Sequence, residues 1–247
     1  MAEVIVALDT RTADEALGLV DELGSPAKYF KVGLELFTRG GPAVVHALRE
    51  RGKRVFLDLK LHDIPNTVAG AVKAASALEV DLLTLHVSGG RAMMEAAREA
   101  AEAVPGTPPR LLGVTVLTSL DRGQLARIWG RSTDDADGGV EEDVVRLAEL
   151  ARGSGLDGVV ASPQEARALR RAFPQPFLLV TPGIRPAGRA PDDQRRTATP
   201  GEAVEAGADF LVVGRAVTGT RDPAPSFQAI LSQVRRAHST SPEAGVP

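Results

Sequence analysis

The chain has 247 residues, 43% of them hydrophobic and 25% charged, and its formal net charge of -3 gives no general attraction to nucleic acid or to an anionic membrane. It contains no cysteine, which excludes disulfides and thiolate metal sites. No apolar run approaches the roughly 18 to 20 residues of a membrane span, and the first residues lack the basic region of a signal peptide. We therefore expect a cytoplasmic protein that binds neither nucleic acid nor membrane.

Short apolar runs alternate with segments of helical periodicity along most of the chain. Strands are predicted where short apolar runs are bounded by turn residues, and helices where apolar residues recur at helical spacing after a capping residue. The predicted strands are 3–8, 29–32, 54–61, 81–87, 111–118, 157–162, 176–183 and 209–215. The predicted helices are 12–23, 34–51, 65–78, 91–104, 121–129, 140–152, 163–173, 200–206 and 226–237.

Three segments show neither periodicity. Residues 130–139 have the composition of a loop, and residues 184–199 are polar and rich in Pro and Arg. Residues 238–247 are expected to form a flexible tail. The remaining pattern leaves one predicted domain, residues 1–237.

Eight strands alternating with helices in a chain of this length are typical of an α/β protein with the (β/α)8 TIM-barrel fold. The main alternative is a doubly wound parallel sheet. That fold would favour a glycine-rich dinucleotide turn after the first strand, and residues 9–14 contain no glycine. The sequence therefore favours the barrel.

The segment 54–67 carries the densest group of reactive side chains. Asp58 and Lys60 are two positions apart in the predicted strand RVFLDLKL, so both side chains project to the same side. Asp63 follows in the connection, and Pro65 suits the first turn of a helix. The pattern predicts two carboxylates and an amine at the C-terminal end of one strand. The same residues could form an ordinary surface salt bridge, and spacing alone does not decide between these readings.

Lysine is rare in this chain. Five of the 29 basic residues are lysine, at positions 28, 31, 53, 60 and 73. Arginine is effectively never deprotonated, whereas lysine can give up a proton. The two lysines at predicted strand ends, Lys31 and Lys60, are therefore candidates for chemistry.

Functional groups of a TIM barrel lie on the loops that follow the strands. Acids and lysines fall on one side of the expected mouth, and phosphate-type donors fall on the other, where the loops after strands seven and eight form the usual phosphate site. Gly214 would let a backbone N–H approach an anion, and Arg215 could pair with it bidentately. An ordinary polar rim is the alternative. Besides Asp58, Lys60 and Asp63, the candidates are Asp9, Lys31, Thr118, Arg185, Gln194, Gly214 and Arg215.

The sequence predicts no metal site, because no His and acid residues have metal-ligand spacing. His86 ends the fourth predicted strand, and we expect it to be packed or hydrogen-bonded rather than catalytic.

The segment FLDLKLHDIPNTV resembles the signature of the orotidine 5′-phosphate decarboxylase family. The similarity extends over nearly the whole barrel. It includes ALD at Asp9, KVG at Lys31, D-x-K-x-x-D-I-P-N-T from Asp58 to Thr67, TPGIR at Arg185 and VVGR at Arg215. A wider group of barrel enzymes shares the D-x-K-x-x-D core, whereas the I-P-N-T extension and the last two motifs are more specific.

The resemblance implies a homodimer without cofactor or metal that converts orotidine 5′-phosphate to UMP and CO2 at sites on the subunit interface. Lys60 would protonate C6 of the pyrimidine, and Asp58 would lie against the substrate carboxylate and help hold the lysine. Asp9 and Lys31 would contact the ribose, and Thr118 would lie near the base. Asp63 and Thr67 would reach into the partner's site, and Ile64 would contact the substrate. The phosphate would be bound by Arg185, Gln194 and Arg215, with a backbone contact from Gly214. Residues 184–199 would order as a lid over bound phosphate.

Two other functions remain open. A magnesium-dependent sugar-phosphate decarboxylase or aldolase-like barrel would share the D-x-K-x-x-D core, but in that group an acid at the strand-two position helps hold the metal, and here that position is Lys31. A non-catalytic barrel that binds a phosphate ligand would leave the D-x-K-x-x-D array unexplained.

Overall fold

The computed structural model describes residues 1–131, 139–186 and 196–240. Within these ranges eight parallel strands close into a barrel in chain order, with the eighth strand paired to the first. The strands are β1 (Glu3–Ala7), β2 (Tyr29–Gly33), β3 (Arg54–Leu61), β4 (Leu82–His86), β5 (Arg110–Val114), β6 (Gly158–Val160), β7 (Leu178–Thr181) and β8 (Phe210–Val213). The predicted (β/α)8 barrel is confirmed, and the doubly wound sheet is excluded.

Helices surround this barrel, and several begin where the sequence supplies a capping side chain. Thr12 and Ser162 each accept a backbone N–H of the first helical turn, and Asp121 and Thr199 form capping boxes. The helices are α1 (Ala13–Leu23), α2 (Leu34–Gly40), α3 (Pro42–Glu50), α4 (Pro65–Ser76), α5 (Arg91–Glu102), α6 (Arg122–Ile128), α7 (Gly139–Gly153), α8 (Pro163–Ala172), α9 (Pro200–Glu205), α10 (Arg215–Thr218) and α11 (Pro223–Thr240). None of the helices in the described ranges is long and apolar enough to cross a membrane.

Two helices differ more than the others from their predicted bounds. The single helix expected over 34–51 is divided into α2 and α3, because Gly41 has a φ of 56° and Pro42 starts the next helix. The last helix, α11, continues to Thr240, so the first three residues of the predicted tail are helical.

The barrel interior is filled by the inward-facing residues of the strands. Side chains alternate along a strand, so one set faces the interior and the other packs against the helices. The interior set includes Ile5, Ala7, Tyr29, Phe56, Leu82, Leu112, Val180, Phe210 and Val212, all nearly or completely buried. Continuing the same alternation toward the carboxyl ends of β1, β2 and β3 brings Asp9, Lys31 and Asp58 above this apolar layer.

The opposite, N-terminal end of the barrel is fastened by three similar contacts, which we call the N-terminal clamps. In each clamp an aspartate directly precedes an even-numbered strand, accepts a backbone N–H from the preceding odd-numbered strand and pairs with an arginine. The sets are Asp81 with Val55 N (2.8 Å) and Arg54, Asp157 with Leu111 N (2.6 Å) and Arg98, and Asp209 with Leu179 N (2.8 Å) and Arg170. The clamps tie neighbouring strands together far from the barrel mouth.

Candidate active site

A cavity of about 450 Å³ opens at the carboxyl ends of the strands. Its apolar lining includes Phe56, Val114, Val116, Val160, Ile184 and Val212, and its polar lining includes Asp9, Lys31, Asp58, Lys60, Thr118, Arg185, Gly214 and Arg215. A cavity that combines apolar walls with convergent polar groups is the usual form of a small-molecule site. The structure therefore brings eight of the sequence-predicted candidates together around one space.

Four alternating charges cross one side of this cavity, and we call them the charge array: Asp9, Lys31, Asp58 and Lys60. Both carboxylate oxygens of Asp58 lie 2.8 Å from Lys60 Nζ. Lys31 Nζ lies 3.5 Å from Asp58 Oδ2 and 3.4 Å from Asp9 Oδ1. The Asp58 side chain is 11% exposed, whereas that of Asp9 is 57% exposed. The array thus runs from the rim of the cavity into its buried wall.

The local backbone of β3 is irregular where it carries this array. Pairing between β3 and β4 shifts register between Leu57 and Leu61, and Lys60 has a φ of 50°. A non-glycine residue at positive φ is uncommon and persists where its surroundings enforce it. Here the Lys60 N–H donates to Thr84 Oγ1 at 2.9 Å. The sequence predicted a regular strand, whereas the structure brings Lys60 to Asp58 through an irregularity in the strand.

The charges around Asp58 keep it ionised. Its burial alone would raise its pKa, but Lys31 and Lys60, together with hydrogen bonds from Lys60 and Thr84, outweigh burial and hold the pKa of Asp58 below its usual value. The acid therefore stays negative beside two ammonium groups at any pH near neutral.

Two histidines lie beside the array. The rings of His62 and His86 are tilted against each other with 5.2 Å between their centroids. Burial, together with the nearby His62 and Lys60, lowers the pKa of His86, so this histidine is neutral at physiological pH. The ring contact agrees with the expectation of a packed histidine.

The opposite wall carries the groups suited to an anion. Arg185 follows β7, and Arg215 opens α10 directly after β8. A Cβ added at Gly214 would lie 3.3 Å from Asp9 Oδ2, so a larger residue there would crowd the acid. The Arg185 N–H donates to the carbonyl oxygen of Ala198 at 2.9 Å, which joins the two described ends of the β7–α9 connection.

A buried ion pair joins helix α8 to the connection after β7. Arg196 Nη1 lies 2.5 Å from Glu165 Oε1, and the two residues are 8% and 4% exposed. Arg196 also donates to the carbonyl oxygen of Leu117 at 3.0 Å, next to the cavity residue Thr118. Burial raises the pKa of Glu165 despite the adjacent guanidinium. Arg196 therefore contacts both helix α8 and the connection after β5.

Three predicted residues do not line the cavity described here. Asp63, Ile64 and Thr67 are exposed at and after the end of β3, with Ile64 66% exposed. Gln194 lies outside the described residues, as do most of the predicted lid, 184–199, and most of the loop 130–139. The described residues include no group of three or more His, Asp or Glu side chains that could hold a metal ion.

Sequence reasoning missed the contacts that three residues make in this region. Thr84 shares the inward face of β4 with Leu82 and His86, so its position two residues from each was an available signal. Glu165 and Arg196 are 31 positions apart, and no local pattern marks them as partners.

Comparison with known proteins places the chain in a family. The family model described as "Orotidine 5′-phosphate decarboxylase / HUMPS family" matches residues 2–230. A protein of Moorella thermoacetica named orotidine 5′-phosphate decarboxylase is 51% identical over 236 residues, with 94% of this chain and 92% of that protein covered. A Pseudomonas paraeruginosa protein of the same name is 51% identical over 231 residues, covering 94% and 97%.

The fold comparison agrees. A crystal structure of orotidine 5′-phosphate decarboxylase from Lactobacillus acidophilus superimposes with a TM-score of 0.81 at 37% identity, covering 95% of this chain and 99% of the other. Together with the geometry of the cavity, these matches show that the chain belongs to the orotidine 5′-phosphate decarboxylase / HUMPS family.

Proposed function

We propose that this protein decarboxylates orotidine 5′-phosphate to UMP and CO2, with Lys60 as the proton donor. The observation that carries the proposal is the ammonium group of Lys60, held by both oxygens of Asp58 at the edge of a cavity with both apolar and charged walls. The names of relatives that are 51% identical over most of the chain supply the substrate.

The two walls of the cavity suit the two ends of this substrate. Arg185 and Arg215 would bind the phosphate, and Asp9 and Lys31 would contact the ribose. The pyrimidine would then lie over the apolar lining, near Thr118, with its carboxylate toward Asp58. Placement of the carboxylate beside a second negative group favours its departure over its retention.

The reaction breaks one carbon–carbon bond and forms one carbon–hydrogen bond. As CO2 leaves, the bonding electron pair stays on C6 of the pyrimidine, and the proton of Lys60 Nζ is transferred to that carbon. A cation placed where negative charge develops stabilises the transition state more than the ground state. Asp58 keeps Lys60 oriented by accepting hydrogen bonds from its Nζ at both carboxylate oxygens until the proton is needed.

A lysine alone does not supply the acceleration that such a reaction needs. Enzymes lower reaction barriers by roughly 8 to 23 kcal/mol, and a decarboxylation without a cofactor to delocalise the carbanion belongs at the upper end. Binding energy from the remote phosphate can be used to hold the carboxylate against Asp58. This is why we assign Arg185 and Arg215 a role in turnover as well as in affinity.

We also propose a homodimer in which each site is completed by the partner. Asp63, Ile64 and Thr67 follow the strand that carries Lys60, yet all three are exposed and lie outside the lining of their own cavity. An exposed isoleucine beside an exposed acid on a helix start suits a surface that a second copy covers. By resemblance to the family, Asp63 and Thr67 would reach into the partner's site.

Mixing two inactive variants tests the shared site. Lys60→Ala and Asp63→Ala chains that exchange subunits should form heterodimers with one doubly altered site and one intact site, which restores about a quarter of wild-type activity in an equal mixture. A mixture of Lys60→Ala with Asp58→Asn is the matched control, since both residues belong to the same site and no intact site can form. Equal activity in the two mixtures contradicts the shared-site proposal.

The magnesium-dependent alternative is disfavoured by the position of Lys31. Its ammonium group lies between Asp9 and Asp58, 3.4 and 3.5 Å from their oxygens, where a cation for those acids is already supplied by the chain. Turnover that survives exhaustive chelation is the expected result, and turnover restored only by Mg²⁺ would favour the alternative.

The direct test is turnover. Wild-type protein mixed with orotidine 5′-phosphate should remove the absorbance of the substrate base and release UMP and CO2 in equal amounts. Lys60→Ala protein, prepared in parallel, controls for contaminating enzyme. Binding of the nucleotide without product from folded wild-type protein would favour the non-catalytic phosphate-binding barrel instead.

A further inference from the structure

Thr84 is a buried polar residue in contact with the charge array. It lies on β4 with 0% exposure, on the same inward face as Leu82 and His86. A threonine in such a position must place its hydroxyl group in hydrogen bonds, because an unpaired buried hydroxyl is costly.

The hydroxyl joins two parts of the proposed catalytic pair. Thr84 Oγ1 donates to Asp58 Oδ1 at 2.9 Å and accepts the backbone N–H of Lys60 at 2.9 Å. A hydroxyl has one donor and two acceptor positions, so both bonds form at the same time. One side chain from β4 thus contacts both the acid and the backbone of the lysine.

The second of these bonds acts on a strained residue. Lys60 has a φ of 50° at the point where β3 loses register with β4. A conformation of this kind is costly for a residue other than glycine and needs support from its surroundings. The hydrogen bond to Thr84 supplies that support from the neighbouring strand.

We propose that Thr84 is a positioning residue for the decarboxylation: its hydroxyl group holds the Asp58 carboxylate and the left-handed Lys60 backbone in the arrangement that directs Lys60 Nζ into the cavity. The inference rests on the proposed function. It assigns Thr84 no contact with substrate, so its effect passes through Asp58 and Lys60.

The test compares three substitutions in the full-length protein. Thr84→Val keeps the shape of the side chain and removes the hydroxyl, and Thr84→Ser keeps the hydroxyl. Thr181→Val is the matched control on β7, since Thr181 is 1% exposed and its hydroxyl donates to the carbonyl oxygen of Phe210 at 3.3 Å. That bond involves no member of the charge array.

Loss of hydrogen bonds to charged groups predicts a kcat for Thr84→Val about 10- to 100-fold below wild type. The KM for orotidine 5′-phosphate and the affinity for UMP should change much less, because the phosphate and ribose contacts remain. Thr84→Ser should recover most of kcat, and Thr181→Val should keep it. A Thr84→Val enzyme with the kcat of Thr181→Val would overturn the proposal.

The pH profile supplies a readout that a purely structural role would not move. Asp58 is faced by Lys31 from β2, by Lys60 of its own strand and by His86 from β4, with Asp9 beyond Lys31. Removal of the Thr84 hydroxyl takes away one hydrogen bond to the carboxylate, so the acid limb of kcat should move to higher pH in Thr84→Val and stay in place in Thr181→Val. An unmoved limb together with lowered kcat would place Thr84 in the fold instead.

Two controls separate the possible failures. A folded wild-type protein without turnover would contradict the proposed function, whereas normal turnover in both wild type and Thr84→Val contradicts only the role of Thr84. If Thr84→Val does not fold, Thr84→Ala answers the same question. If neither folds while Thr181→Val does, Thr84 serves the fold and the proposal is wrong.

Discussion

The two ends of this barrel hold aspartates and cations in different ways. At the N-terminal end, each clamp aspartate accepts a backbone N–H in addition to its arginine partner, as Asp209 does from Leu179 and Arg170. At the mouth, the donors to Asp58 in the described part of the chain are the side chains of Lys60 and Thr84, and Lys60 faces the cavity with 30% of its side chain exposed. The clamps use their charges to join strands, whereas the mouth leaves its lysine available to a ligand.

The choice of cation follows the same division. Arginine presents a planar fork that joins an acid to several acceptors, and Arg170 also bonds the carbonyl oxygens of Gly207, Phe173 and Phe177. Lysine carries a compact charge that can release a proton. Rarity alone does not mark a lysine as catalytic, however, because Lys53 donates to the carbonyl oxygens of Gly24 and Ala27 as a structural contact.

The largest expected effect is the loss of turnover in Lys60→Ala. This variant should fold, bind UMP and show no decarboxylation above background, because the proton donor and the cation for the carbanion are both removed. Lys60→Arg should also fail, since guanidinium is a poor proton donor. Lys53→Ala is the contrasting control, with a lower unfolding free energy and a kcat near wild type. A near-normal kcat for Lys60→Ala would remove this residue from the mechanism.

The next effect belongs to the opposite end of the barrel. Asp209→Ala leaves the Leu179 N–H and Arg170 without their acid, so the unfolding free energy should fall by about 3–5 kcal/mol. The kcat of the remaining folded enzyme should stay close to wild type. Asp21→Ala, which breaks the exposed pair with Arg51, should lose less than about 1 kcal/mol in the same denaturant titration. Equal losses in the two variants would contradict the structural role of the clamp.

A smaller effect on activity is expected when Arg215, on the side of the cavity opposite the charge array, is replaced. Arg215→Ala should lower kcat/KM for orotidine 5′-phosphate about 100-fold, because phosphate binding contributes to transition-state stabilisation. The same change should hardly affect the slow turnover of orotidine, which lacks the phosphate. Arg221→Ala, an exposed arginine outside the cavity, serves as control. Equal losses with both substrates would mean that Arg215 acts on the base or on the fold.

The smallest effect is a pH dependence of stability at the mouth. The pKa of Asp58 is lower in the folded protein than in the unfolded chain, so its ionised form stabilises the fold above the ordinary pKa of 3.8, and this contribution is lost as pH falls below that value. The unfolding free energy of wild type minus that of Asp58→Asn should therefore decrease as the pH falls from 5 to 3. A difference that stays constant over this range would contradict the lowered pKa.

The sequence by itself determined the alternation of strands and helices, the barrel and the family. These follow from local features: apolar runs of strand length, capping residues such as Thr12 and Ser162, and the motif from Asp58 to Thr67. The two-residue period of a strand also predicted that Asp58 and Lys60 would lie together, although the strand is irregular there. Local geometry needs only neighbouring residues, so a single sequence expresses it directly.

Only the tertiary structure decided which distant residues support that motif. Thr84 reaches Asp58 across 26 positions, and Arg196 reaches Glu165 across 31. The N-terminal clamps likewise depend on which strand lies beside each aspartate. Such contacts depend on strand order, register and the closure of the barrel, which place residues side by side without leaving a periodic trace in the chain. The sequence therefore indicated the candidate reacting groups, and the fold determined which residues contact them.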